Sequence, residues 1–324
     1  SHFPAMMHPN VKRFTHTFEI YEDNALPSRY HGKLFGVSPN LHYLVASEIE
    51  PHGSTQRTKD IDHPVSIGND PLDKWFAPVD IQTGPDGNLY FADFHARQVA
   101  HYIAYSKGLT DPGLGRIYRL KSSRDTATPV LRNPDAFKGD NLVQTALRHP
   151  SRWHRETAIR ILGDRKSPRY NEQLKKAVLK ETGQPALQAL WALNLGGGFG
   201  KEIALQTLKH PSPHVRRWTI RLLGDQHEVS PQVAKALVEF AAREPDAETR
   251  SQLASTASRL NAEAALPILA QLIRRKEDVD DPHIPQLVWW AFEAHASDHD
   301  ALLDFFRDPS NWDTHLRTDG ALPQ

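Results

Sequence analysis

One stretch of this chain occurs twice. His149-Pro150-Ser151-Arg152-Trp153-His154-Arg155-Glu156-Thr157-Ala158-Ile159-Arg160-Ile161-Leu162-Gly163-Asp164 returns as His210-Pro211-Ser212-Pro213-His214-Val215-Arg216-Arg217-Trp218-Thr219-Ile220-Arg221-Leu222-Leu223-Gly224-Asp225, and 9 of 16 positions are identical. A repeated unit of this length cannot bury its apolar face alone and needs neighbours stacked on it. Pro150, Pro185, Pro211, Pro245 and Pro282 mark helix starts, where a missing N–H costs nothing; their intervals are 35, 26, 34 and 37 residues. Each interval fits two helices and two turns. First helices are predicted at 142–149, 171–180, 201–210, 231–243 and 262–275, and second helices at 151–162, 186–195, 213–223, 247–260 and 285–295. Gly163, Gly196 and Gly224 are expected as helix C-caps, where a positive φ suits glycine.

This grammar resembles HEAT repeats, an α-solenoid; Arg155, Arg216 and Arg250 each fall five residues after their proline, as in that family's second helix. The intervals are shorter than the ~40–47 residues usual for HEAT repeats, and the Trp/Gly/Tyr signature of the ~34-residue tetratricopeptide repeat is absent. About five repeats are present, above the roughly three that bury a continuous core.

Residues 1–121 read differently. Short aromatic and branched runs at 14–21, 33–37, 41–49, 79–82, 89–94 and 115–120 alternate with turn signals such as Gly84-Pro85-Asp86-Gly87. The polar stretch Gly53–Asp73 reads as a long loop. Residues 122–138, with Ser122, Ser123, Pro129 and Pro134, read as a linker to the helical part at 139–324. The expected fold class is α+β in separate domains: a partial antiparallel β-propeller-blade unit, then a HEAT-like α-solenoid.

The run Trp75-Phe76-Ala77-Pro78-Val79-Asp80-Ile81-Gln82-Thr83-Gly84-Pro85-Asp86-Gly87-Asn88-Leu89-Tyr90-Phe91-Ala92-Asp93-Phe94 is a hairpin with a tight turn. It resembles a blade of the sugar- and sorbosone-dehydrogenase-like β-propellers. Tyr30-His31-Gly32-Lys33-Leu34-Phe35, Gly115-Arg116-Ile117-Tyr118-Arg119-Leu120 and Asp281-Pro282-His283-Ile284-Pro285 extend the resemblance to the large membrane-bound-dehydrogenase-like proteins of planctomycete-type bacteria. It covers most of residues 14–296. In that family a propeller precedes helical repeats, and a haem-binding cytochrome c domain often follows. The resemblance thus implies a periplasmic or secreted bacterial protein that oxidises a sugar or similar alcohol. A quinone or cation would sit in the propeller and haem c in a separate domain. Six or so strands are too few for a propeller of at least four four-stranded blades. With Cys at 0, no covalent haem attachment, thiol catalysis or disulfide belongs to this chain. The expectation is a fragment, opening on Ser1 rather than Met and inactive alone. Its partners would be missing blades and a cytochrome c domain. The other reading is an interaction module without catalysis, holding a protein on an extended concave surface. Lys+Arg and Asp+Glu are both 39, a balance that argues against nucleic-acid binding, and no run approaches a membrane span.

Asp80, Asp86 and Asp93 are candidate cofactor-binding residues, because carboxylates near a channel mouth suit a hard cation. They equally suit turn and strand-end chemistry. His95, His101 and Arg116, with Arg97, are candidates for facing a channel and an anionic or quinone cofactor; exposed loop residues of this kind are also common. His295 and His299 have the spacing of a metal pair, but Ser297 or Asp298 reads as a helix N-cap between them, so no metal site is expected. His149 and His210 are expected to interact with a helix C-terminus. Arg155, Arg216 and Arg250 read as a ladder to inter-repeat carbonyls or to Asp164 and Asp225. Trp153, Trp191, Trp218, Trp289 and Trp290 read as repeat-interface core. Gly196-Gly197-Gly198-Phe199-Gly200 reads as an inter-helix turn, and neither a Gly-x-Ser-x-Gly elbow nor a dinucleotide fingerprint is present.

Overall fold

The computed structural model describes residues 17–66, 74–97, 106–111, 113–122 and 135–311. The chain divides into two compact units, residues 1–50 with 56–158 and residues 51–55 with 159–324.

The first unit begins with β1 (Phe18–Ile20), β2 (Leu34–Ser38), β3 (Tyr43–His52) and β4 (Thr55–Ser66), one sheet in the order β1-β2-β3-β4. β2 pairs antiparallel with both neighbours, Phe18 facing Gly36 and Leu34 facing Ser47. A second antiparallel sheet holds β5 (Pro78–Thr83), β6 (Leu89–Asp93) and β7 (Arg116–Leu120), in that order. The described residues thus hold seven strands rather than six, in two open sheets. Tyr21, Phe35, Val37 and Leu44 from the first sheet share one core with Ile81, Leu89 and Phe91 from the second. Tyr21 is fully buried; its hydroxyl donates to Gly87 O at 2.8 Å and accepts from Leu26 N at 2.8 Å. Burial pushes that phenol up to about 12.

The long loop expected at Gly53–Asp73 is corrected by β4. Its twelve residues alternate weakly, are largely exposed and end the sheet, so the backbone ladder rather than an apolar face makes them a strand. Residues 67–73 of that stretch lie outside the described residues, as do residues 14–16 of the first predicted strand and 123–134 of the predicted linker.

Eleven α-helices follow among the described residues. α1 (Asn141–Arg148) belongs to the first unit, and the division falls within α2 (Arg152–Arg165). α3 (Asn171–Lys180), α5 (Lys201–Thr207), α7 (Pro231–Ala241) and α9 (Ala262–Leu272) are first helices. α4 (Gly183–Leu195), α6 (Pro213–Gly224), α8 (Ala247–Ala257) and α10 (Ile284–Ala294) are second helices, and α11 (His299–Arg307) closes the array. First helices pack on the next first helix and second helices on the next second helix, giving two layers. Leu237, Leu253, Ala254, Ala265, Ile268 and Leu269 form the continuous core between them. Pro213 and Pro231 sit in the first turns of α6 and α7, and Ser230, Asp246 and Asn261 accept from the third residue onward to cap α7, α8 and α9.

The glycine expectation holds for Gly196, the C-cap of α4, and is corrected for the other two and for the backbone conformation of all three. Gly163, Gly196 and Gly224 do not adopt positive φ; the left-handed residue after α4 is Gly197, at φ +78°. Gly163 and Gly224 serve close packing of neighbouring second helices instead. A Cβ on Gly163 would stand 2.9 Å from Leu195 Cβ, and one on Gly224 would stand 2.8 Å from Thr256 Cγ2.

Candidate functional site

The β5–β6 hairpin positions four of the sequence candidates. β5 is irregular between Pro78 and Asp80, which turns Asp80 toward the preceding segment; it accepts from Thr17 Oγ1 at 2.8 Å and Ile81 N at 2.9 Å. Asp86 closes the turn at the other end. It accepts from Asn88 N (3.2 Å), Asn88 Nδ2 (2.9 Å), Tyr90 Oη (3.0 Å) and Arg119 Nη1 (3.3 Å). Burial pushes its carboxyl up, but those donors outweigh burial and hold it below the usual carboxylate range.

Asp93 ends β6, buried, and accepts from Ala77 N at 2.8 Å and His95 N at 2.9 Å. Its register partner on β7 is Arg116. His95 sits at φ +52°, a conformation non-glycine residues seldom adopt, and its ring stacks on Trp75 with centroids 5.4 Å apart. Arg97 lies over the other ring system of the group, 5.1 Å from the Trp75 centroid. Asp93, His95 and Arg116 therefore share one end of the second sheet with Trp75 and Arg97, while Asp86 sits a strand's length away. His101 lies outside the described residues. The His95 Nδ1 to Asp93 Oδ2 separation of 3.8 Å exceeds hydrogen-bond reach. Asp93 here binds backbone N–H groups, and His95 and Arg97 each lie against the Trp75 ring.

A second site escaped the sequence. A cavity of about 370 Å³ in the first unit is lined by Glu19, Asp80, Thr83, Arg152, Trp153 and Glu156 among others. Glu19 accepts from Thr83 Oγ1 at 2.7 Å and faces Arg152 at 3.6 Å, and Arg152 Nε donates to Glu156 at 2.7 Å. Burial lifts the Glu19 carboxyl above its ordinary value against those partners. No local spacing signals a pair of groups more than a hundred residues apart, and the Phe18-Glu19-Ile20 alternation by itself would turn Glu19 outward.

In the helical part the arginine ladder takes partners other than Asp164 and Asp225. Arg216 forks onto Glu244, with Nε to Oε2 at 2.8 Å and Nη2 to Oε1 at 2.6 Å. Arg250 forks onto Asp278 at 2.7 and 2.5 Å, and that pair is almost fully buried. Each partner lies 28 residues downstream. Arg155 instead donates to Glu22 at 2.5 Å, within the first unit. All three also satisfy carbonyls of the turn just before their own helix: His149 and Pro150 for Arg155, His210 and Pro211 for Arg216, Glu244 for Arg250. Asp225 pairs with Arg259 at 2.8 Å. A guanidinium has donors enough for carbonyls and a carboxylate together, which the earlier expectation divided.

His149 and His210 turn their Nδ1 atoms to the helix that follows them rather than to the one they end, while His210 also serves a helix C-terminus, that of α3 at its C-cap Glu181. Their Nδ1 atoms accept from Ser151 N (3.1 Å) and Ser212 N (3.0 Å), at the start of the next helix, and His210 Nε2 donates to Glu181 O at 3.1 Å. Both rings must be neutral at Nδ1 to do so. His295, buried, contacts Ala257 O through Nε2 at 2.9 Å, while His299 starts α11, so the two fall on separate helices; no group of three metal-ligating side chains occurs among the described residues. The tryptophans pack at margins. Trp191 and Trp218 meet edge-on at 5.1 Å, Trp153 meets Phe137 and His154, and Trp289 is exposed; the core proper is mostly Leu, Ile and Ala, with Val233, Val288 and Phe292. The glycine run after α4 is a turn, with Gly198 N donating to Leu193 O at 2.8 Å.

On the second-helix layer a shallow cavity of about 310 Å³ is lined by Arg217, Trp218, Arg221, Glu248, Ser251 and Ser255, with Ser54 and Gln252. Arg221 lies over the Trp218 ring at 5.2 Å, and Arg217 pairs with Glu248.

Comparison with known families finds two matches. Residues 202–281 are similar to HEAT repeats, and residues 4–124 to a domain of unknown function (DUF7133). Neither description names a dehydrogenase. No curated protein matches the chain.

Proposed function

We propose that the chain is a scaffold, whose HEAT-like helical repeats hold a protein partner on the second-helix layer. The observation that carries this reading is the repeated Arg216–Glu244 and Arg250–Asp278 forks at equal spacing. They lock successive helix pairs in register, and a surface so fixed presents side chains on several helices at set separations. Arg217, Trp218, Arg221 and the two serines then offer one aromatic face, guanidinium donors and hydroxyls, a composition common at protein interfaces. Capture of a partner by the full chain, lost with Arg221→Glu and with Trp218→Ala, is the expected result. Capture unaffected by both variants refutes this face.

For the parent molecule, the reading is a bacterial periplasmic or secreted dehydrogenase-like protein. In it the helical repeats stand between a propeller and a separate cytochrome c domain. The four-stranded β1–β4 sheet has the strand number of one propeller blade, and the Asp93–His95–Trp75–Arg97 group lies at a sheet end, where a channel ligand such as a quinone would meet it. Further blades and the haem domain are its partners. A propeller site draws on several blades, so this chain alone is expected to reduce no dye with sugar or alcohol substrates. Dye-linked turnover by the purified chain overturns that part.

A further inference from the structure

We propose that the opposite, first-helix layer binds an acidic amphipathic helix of a partner protein, laid across α3, α5 and α7. The proposal goes beyond the partner face described above and rests on the scaffold reading only in taking the helical array as a fixed surface. Between α5 and α7 runs a groove of about 770 Å³, within the range of ligand-sized sites. Its floor is apolar: Leu205 and Leu208 from the end of α5, Ala236 and Phe240 one turn apart on α7. Lys235, adjacent to Ala236 on α7, and Arg243, three residues after Phe240 and just past the end of α7, line the same groove, as does Lys209 just past α5. The neighbouring groove of about 470 Å³ between α3 and α5 repeats the arrangement. Ile203 and the exposed Leu179 lie beside Lys176 and Lys201. Packed helices are ~8–10 Å apart, so the two grooves together extend ~20 Å, the length of a helix of ~13 residues.

The charges select the occupant. Among the described residues, no carboxylate lies within ion-pair distance of Lys176, Lys201, Lys209 or Lys235. The first groove's own acids are engaged. Glu244 is held by Arg216 and by Asp246 N, and Glu239 faces Arg243 at 3.9 Å. A bare anion has no use for the apolar floor, and a nucleic acid would want an unbroken basic stripe, which Glu202 and Glu239 interrupt. A helix with apolar residues at i, i+3, i+4 and i+7 and acids on its flanks satisfies floor and rim together.

The test is fluorescence anisotropy with the full chain. The probe is a labelled helical peptide of ~14 residues with Leu on one face and Glu elsewhere. Binding in the micromolar range is expected, weakening with added salt and weakened about tenfold or more by Lys209→Glu with Lys235→Glu. A second pair, Lys176→Glu with Lys201→Glu, is expected to act in the same direction; all four positions are polar and circular dichroism checks that each variant folds. Equal binding of a Lys-for-Glu peptide, tighter binding of a short DNA duplex, or indifference to both variant pairs overturns the proposal. Arg221→Glu, on the other layer, is expected to leave peptide binding unchanged. A chain that captures its partner through Arg221 but ignores the acidic peptide sinks this inference and leaves the scaffold reading standing.

Discussion

Arg250 and Asp278 are 3% and 1% exposed, so neither charge has water to fall back on if its partner is removed. Arg250→Met is therefore expected to cost about 3–5 kcal/mol in urea unfolding, and Arg250→Met with Asp278→Leu to cost markedly less, since the double change leaves no orphaned charge. A histidine pair in the first unit sets an acid limit. His149 and His154 stack at 4.1 Å, and burial first, then His149, lowers the His154 imidazole to about 4. Burial likewise lowers His149. Both rings are neutral in the folded chain and protonate readily near 6.5 once it unfolds. The His154 contribution is whole above about pH 6.5 and is lost as pH falls toward 4, by up to ~1.4 kcal/mol per pH unit, and His149 acts in the same direction. Thermal melts between pH 7.5 and 4.5 should show that slope, and His154→Leu should flatten it. At this scale the sequence was partly readable. The recurrence of Arg155, Arg216 and Arg250 announced a ladder, because spacing inside one repeat is local. Their acceptors Glu244 and Asp278 were hidden, because which carboxylate meets a guanidinium depends on how the next repeat stacks.

Helices were the most legible elements, and for a local reason: proline or a capping Ser, Asp or Asn writes the starts of α6 to α9 into a few adjacent residues. Strand β4 was illegible because its residues carry no alternating apolar face, so the pairing that makes it a strand lies in β3. Glu19 and Arg152 were illegible for the related reason that different elements bring them together. The small residue ending α6 shows a third case. Gly224 looks like a cap in sequence but is the point where α6 touches α8, and its Cβ would also stand 2.8 Å from Arg259 Nη2. Gly224→Ala is expected to destabilise by about 1–3 kcal/mol through overpacking, and Gly224→Val by more. Urea midpoints would check this. A stabilised alanine variant, as at an exposed helix end with ordinary φ, would show that the helices do not approach this closely.

Across the whole molecule the burial is uneven. Leu253, Ala254, Ala265, Ile268 and Leu269 are fully shielded in the middle of the array, whereas α11 buries no residue and four of the five residues of β7 are exposed. Amide hydrogen exchange is expected to be slowest in α8 and α9 and fastest in α11 and β7 among the paired segments; uniform protection would contradict that gradient. One feature of β4 bears on how the protein behaves in a crowded tube. The strand ends its sheet, so one row of its N–H and C=O groups has no further strand of that sheet beside it. It carries Arg57, Lys59, Asp60, Asp62 and Pro64 along that rim. Charges repel a second molecule seeking to add its own strand there, and the proline withholds a donor that such an addition needs. Lys59→Val with Pro64→Val is expected to turn a clear solution into thioflavin-positive fibrils, so the polarity that disguised this strand as a loop is what keeps copies of the chain from growing into one another.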